Sequence, residues 1–327
     1  MSEFLRIEKP IQAAFKSDSI YFSPEARADG IYKGHPYPFC IPKQFAEENL
    51  YPGIRQSITQ YFDHNKIKWH DGYEGKPSNH MCDSQVCCAN FLFPFADQPK
   101  ALSELLRPIF PSLQEMLLIE DDLYVAFEWI GEKNYLREIS RNGLRSRGAN
   151  YTSADAAVMF QSANGSKQIV LIEWKYTESY YPTWLKNATS GRDRTTIYAH
   201  LYDADDCPLN KDLIPNFDAL FYEPFYQFMR QQFLAHEMEK AHELGANRVS
   251  LLHISPANNR DFMRITSPDL RALDISATGV WGRLVRTPGS FTAVYTENLF
   301  GHFPVEKFLA MMDWWNYITT RYRWVIG

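Results

Sequence analysis

Residues 153–175 read SADAAVMFQSANGSKQIVLIEWK, two β-type runs around a single bend. Asn164-Gly165 is the strongest short-range hairpin signal, and the length of its loop decides which residues meet. A two-residue Asn-Gly turn pairs positions that sum to 329, which sets Asp155 opposite Trp174 and sends Glu173 to the other face. A three-residue loop, Ala163-Asn164-Gly165 with Gly165 left-handed, pairs positions that sum to 328. We adopt the second, in which Asp155 faces Glu173 and Lys175 follows two residues on, along the same face. Opposed β-carbons are then about 4.5–5.5 Å apart, so both carboxylates reach one cation.

The same register pairs Ala157 with Leu171 and Met159 with Ile169, and leaves Val158, Phe160, Val170, Ile172 and Trp174 for the other face. Both faces are apolar, so Glu173 and Lys175 interrupt a strand that otherwise belongs in a core. Charges in such a place need a partner or a metal. Two carboxylates with room for water match what Mg²⁺ takes, with Mn²⁺ able to substitute. A metal so held activates a bound water and stabilises charge on a phosphate, while the ammonium orients the attacking water. The plainer alternative is a structural ion pair. Glu74-Gly75-Lys76 repeats the Glu-x-Lys spacing in a Gly/Pro loop and is read as chance.

Working outward, Leu123–Trp129 is a further β-type run. Before it the chain reads as mainly helical. Gln44–Phe62 has a helical period broken at Pro52-Gly53, Asp71–Asn79 is a loop, and Met81–Phe93, Pro99–Arg107 and Ser112–Leu118 follow as helices. The first forty residues show no sustained period and read as an irregular arm. After the hairpin, Glu223–Leu244 is an amphipathic helix ended at Gly245, Val249–Ile254 is a buried strand, and Val305–Tyr322 is an aromatic-rich helix. The expected fold is therefore mixed α/β, with helical elements before residue 115 and after residue 260 around a central core.

Composition bounds the function. The chain has 327 residues, 45% of them hydrophobic and 15% aromatic, enough for a sizeable core. No window is long and uncharged enough to span a membrane, and residues 1–10 carry Glu3, Arg6, Glu8 and Lys9 where a signal peptide would be apolar. Five unevenly spaced cysteines point to reduced thiols and a cytoplasmic setting. His80, Cys82, Cys87 and Cys88 lack zinc-site spacing, and Asp203, Asp205 and Asp206 make a polar turn rather than a calcium loop. No Gly-x-Ser-x-Gly or phosphate-loop pattern appears. A net charge of −5 requires any nucleic-acid binder to supply local basic patches.

Ser153-Ala154-Asp155 followed by Ile172-Glu173-Trp174-Lys175 resembles the PD-(D/E)XK, or restriction-endonuclease-like, nuclease superfamily. The order strand, Asp strand, Glu-x-Lys strand, helix, strand over roughly residues 115–256 is similar to its αβββαβ core. Asn150–Asp155, Ile172–Glu178 and Ser84-Gln85 look like the signatures of a bacterial restriction-endonuclease group within it. Ala154 stands where the superfamily name has Pro. The resemblance implies Mg²⁺-dependent cleavage of DNA, with Asp155 and Glu173 as metal ligands, Lys175 orienting water or stabilising charge, and homodimers an option. It also implies a second class of function, since relatives exist that keep the fold and bind without cleaving.

Glu128, near the end of the Leu123–Trp129 run, is a candidate for an additional acid; the alternative is a surface glutamate at a strand end. Gln85 is either a polar group beside the site or a helix-packing residue. Arg141, Arg145 and Arg147 precede Asp155, and Lys186, Arg192 and Arg194 follow Lys175, so both loops could flank the metal and track phosphates. The alternative for these charges is solvation alone.

Overall fold

The computed structural model describes residues 2–140 and 143–326. Helix α1 (Glu3–Asp18) leads to a small hairpin of β1 (Gly30–Tyr32) and β2 (His35–Tyr37), then α2 (Arg55–His64), α3 (Ser84–Leu92) and α4 (Pro99–Leu106). Strands β3 (Leu113–Leu117), β4 (Val125–Trp129), β5 (Ala154–Ser162) and β6 (Lys167–Trp174) come next. Helices α5 (Thr195–Tyr202) and α6 (Phe225–Lys240) separate them from β7 (Arg248–Ser255). The chain continues through α7 (Ala277–Leu284), β8 (Phe291–Tyr295), α8 (Thr296–Phe300) and α9 (Met312–Arg321).

Six strands form one mixed sheet in the order β3-β5-β6-β7-β8, with β4 also pairing β5. Strand β5 is antiparallel to β6 with Ala157 opposite Leu171 and Met159 opposite Ile169, the register of the three-residue loop. Ser162 and Gly165 close that loop through Gly165 N–H to Ser162 O at 2.8 Å, and Gly165 takes φ +82°, a conformation that favours glycine. Strands β6, β7 and β8 then run parallel to one another.

Because side chains alternate along a strand, the sheet buries two different faces. Ala156, Val158, Phe160, Val170, Ile172 and Trp174 join a core with Phe4 and Phe15 of α1, α3, α4 and Trp314, Tyr317 and Ile318 of α9. Ala157, Met159, Ile169 and Leu171 join a second core with α5, α6 and α7. The result is a sheet flanked on both faces by helices. Among the described residues no helix is long and apolar enough to cross a membrane, and all five cysteines are free and buried.

Three expectations need correction. The opening arm is instead helix α1, capped by Ser2, whose Oγ accepts from Leu5 N–H. Its buried stripe is Phe4, Glu8, Gln12, Phe15 and Lys16, and three polar members hide the period from a count of apolar residues. Ser112–Leu118 is strand β3, not a helix. A register shift between Leu113 and Glu115 sets buried Leu113 and Met116 three residues apart, which mimics a helical turn. The last helix begins only at Met312, short 3₁₀ turns occupying Val305–Lys307 and Leu309–Met311.

Candidate functional site

The hairpin register carries Asp155, at the start of β5, and Glu173, near the end of β6, toward the α6 side of the sheet. Asp155 is held by the strand beside it: its Oδ2 accepts from Trp174 N–H at 2.7 Å. Among the described residues Oδ1 takes no hydrogen bond. Glu173 is gripped by α6, where Gln227 and Gln231 stand four residues apart on one helical face. Gln227 Nε2 donates to Glu173 Oε1 at 2.7 Å, Gln231 Nε2 donates to Oε2, and Lys175 forms an ion pair with Oε1. Both members of that pair are buried.

Glu128 closes the site from β4. It lies between the pairs Phe127 with Ala156 and Trp129 with Ala154, which puts it beside Asp155. Its φ of +49° is rare for a side chain of this size. There Gln85 Nε2 of α3 donates to Glu128 Oε1 at 2.7 Å and Ser153 Oγ donates to Oε2 at 2.9 Å. Glu128 is 8% exposed, so it is not a surface residue at a strand end. Gln85 also accepts from His70 N–H at 2.7 Å, so it both packs its helix and touches the acid. Ser153 joins the two sides, because its carbonyl accepts from Gln231 Nε2 at 3.1 Å.

The electrostatics follow from this crowding. Burial, and then repulsion by Glu173 and Glu128, hold the Asp155 carboxyl well above the usual carboxylate range. Burial chiefly raises Glu128 as well, with Ser153 and Gln85 opposing it. For Lys175 burial works against the ammonium, but Glu173 outweighs it and the group stays charged far above the usual lysine value. Asp155 and Glu173 therefore share one cation, Lys175, with Glu128 adding a third carboxyl beside them, and Asp155 keeps an oxygen free of protein donors. That donor set fits a hard divalent ion, which takes one or two carboxylates and keeps its waters. Among the described residues no group of three or more His, Cys, Asp and Glu side chains is placed to hold a metal ion, so the fit rests on the Asp155 and Glu173 carboxylates alone.

The basic residues of the flanking loops have internal partners. Arg145 donates to the carbonyls of Ile130, Gly131, Glu132 and Lys133. Arg147 pairs with Glu120 at 2.8 Å and lies over Trp129. Lys186 pairs with Asp218 at 2.9 Å, and Arg194 donates to Leu185 O at 2.7 Å. Arg192 is exposed on its turn. Arg141 lies outside the described residues.

Gln227 and Gln231 are what the sequence reading of this site missed. Their signal was present, as amides at positions i and i+4 in a helix otherwise assigned by its aromatic stripe; Gln231 is 1% exposed. His253 was missed too. It pairs in register with Glu173, stacks on Phe262 at 4.8 Å, and is kept neutral by burial and by Lys175.

A family model described as Restriction Endonuclease associating with ARP matches residues 11–322. The chain belongs to that family. No curated protein and no solved structure matches it.

Proposed function

From membership of a restriction-endonuclease family as premise, we propose that the chain is a metal-dependent endonuclease that hydrolyses DNA phosphodiester bonds, with a PD-(D/E)XK core built from β4, β5, β6, α6 and β7. The observation that carries this reading is the β5–β6 register, which sets Asp155 and Glu173 at one end of the sheet with Lys175 beside them. Asp155 and Glu173 would hold Mg²⁺ or Mn²⁺, and the ion would supply Lewis-acid stabilisation of the phosphate and a more acidic water. Gln227, Gln231 and Lys175 fix the Glu173 carboxylate and leave one lone-pair position, on Oε2, to offer to the ion. Lys175 orients the attacking water or offsets charge on the phosphate in line with it. Glu128, fixed by Gln85 and Ser153, is an additional acid beside Asp155. Arg145, Arg147, Lys186, Arg192 and Arg194, on the loops before Asp155 and after Lys175, would contact the DNA backbone, all but Arg192 by giving up internal partners.

The test is nicking of plasmid DNA in Mg²⁺ by the wild type, Asp155→Ala and Lys175→Ala. Both substitutions are expected to remove cleavage by at least about a hundredfold. Nicking that survives either one at wild-type rate rejects these roles. A second reading, binding of nucleic acid or a protein partner without cleavage, draws on Glu173, whose two oxygens are both engaged by protein groups. Mn²⁺ titration separates the two, since an acidic pair that binds no metal favours the second.

A further inference from the structure

Arg230 projects from α6 on the turn that carries Gln227 and Gln231, and differs from the loop cations. Its guanidinium lies 4.7 Å from the ring centre of Tyr226, and that of Arg194 lies 5.5 Å from the same ring. The only hydrogen bond it makes among the described residues is from Nη1 to Thr152 Oγ1, at 3.4 Å. Thr152 stands three residues before Asp155. The Arg230 Nε is buried without a partner among the described residues.

A guanidinium offers five N–H donors in a fixed fork, and leaving them unspent in a partly buried place is costly. Two acids are near enough to favour its charge, Glu138 and Glu223, yet neither comes within ion-pair distance. Glu138 is committed to Thr152 N–H, the Thr152 hydroxyl and the Tyr198 hydroxyl, at 2.6–2.8 Å. Glu223 accepts from Gln227 N–H at 3.3 Å. The Tyr226 ring and the Thr152 hydroxyl hold the guanidinium in place, and Nη2 has no partner among the described residues.

We infer that Arg230, steadied with Arg194 on the Tyr226 ring, is a seat for a backbone phosphate of the nucleic-acid strand next to the scissile position. The geometry supplies what a phosphate contact through the two Nη groups needs: a guanidinium held against a ring, only a long bond from Nη1 to Thr152, and, among the described residues, no carboxylate within ion-pair distance. The identity of the ligand rests on the nuclease reading; the anion seat itself rests on Arg230 alone. Since Arg230 neighbours Gln231 in sequence, a phosphate held there is tied to the helix that positions Glu173.

The experiment is fluorescence anisotropy of a fluorescein-labelled DNA duplex with the full chain in EDTA across a salt series, for wild type, Arg230→Met, Arg230→Lys and Tyr226→Leu. Arg230→Met is expected to weaken binding about tenfold and to lower the slope of log Kd against log salt by about 1. Arg230→Lys should keep the slope and recover part of the affinity, which also serves should the Met variant fold poorly. Tyr226→Leu should weaken binding without changing the slope. Unchanged Kd and slope in both Arg230 variants overturn the phosphate seat, as does a wild type that binds no duplex at low salt. Plasmid nicking by the same preparations separates the two ideas. Cleavage with Arg230-independent binding overturns the seat alone, whereas Arg230-dependent binding without cleavage in Mg²⁺ supports the seat and overturns the nuclease reading.

Discussion

Asp155 sits beside two further carboxyls, Glu173 and Glu128, with Lys175 the nearby cation, and the folded state carries the cost of that arrangement. A carboxyl raised on folding binds more protons in the native than in the unfolded chain over the window from about pH 4 upward. Its contribution to stability is therefore present below that window and lost as pH rises through the folded-state pKa. Asp155→Asn removes the titrating group while retaining an oxygen for Trp174 N–H. In EDTA this variant should melt above wild type by about 1–2 °C at pH 8, corresponding to roughly 1 kcal/mol, with a smaller gap at pH 5. A gap that does not change with pH would refute the account. Glu128 permits a separate test of its backbone. At φ +49° any residue with a β-carbon is strained, so Glu128→Gly should be more stable than Glu128→Ala by about 1 kcal/mol in urea unfolding. Equal stabilities would mean that the backbone relaxes around the substitution.

Helix α6 sets the geometry that the strands alone leave open. Gln231→Leu keeps a helix former and the side-chain bulk but removes the donors to Glu173 and to Ser153 O. Cleavage by the folded variant should fall by roughly 10–100-fold, with weaker Mn²⁺ binding by calorimetry, beside a stability cost of about 1–3 kcal/mol for the stranded acceptors. A loss of stability with cleavage and Mn²⁺ binding unchanged in the folded variant would make Gln231 a packing residue instead. The elements also show what could be read from residue order. Asn164-Gly165 and the apolar alternation on either side specify the β5–β6 pairing, because a slip by one residue would turn every core side chain to the wrong face. The site of Glu173 and Lys175 was legible for the same reason. What escaped was carried by polar side chains spent inside the protein: Glu8, Gln12 and Lys16 disguise α1, and Gln227 and Gln231 lie outside the apolar positions by which α6 is recognised. Strand β3 escaped because its irregular pairing destroys the two-residue period.

Across the whole molecule, one guanidinium joins parts of the chain far apart in sequence. Arg321, fully buried, donates to Gln12 Oε1, Asn49 O, Asn49 Oδ1, Met81 O and the Tyr317 hydroxyl at 2.5–3.0 Å. Arg321→Met would strand several buried acceptors at once and should cost at least about 3 kcal/mol, read as a lower urea midpoint. Arg321→Lys is expected to fare little better, since an ammonium cannot span the fork's acceptors. A midpoint near wild type for either would show that the hub is dispensable.

Gln12 and Arg321 are 309 positions apart, and the helices they belong to close the core beneath the sheet. A ribosome must therefore deliver α9 before α1, α3 and α4 can be sealed against Trp174, the neighbour of both Glu173 and Lys175. Fragments cut short during translation would lack a rigid floor under the acids. Should the chain cleave DNA as proposed, competence would arrive only once α9 has closed that core.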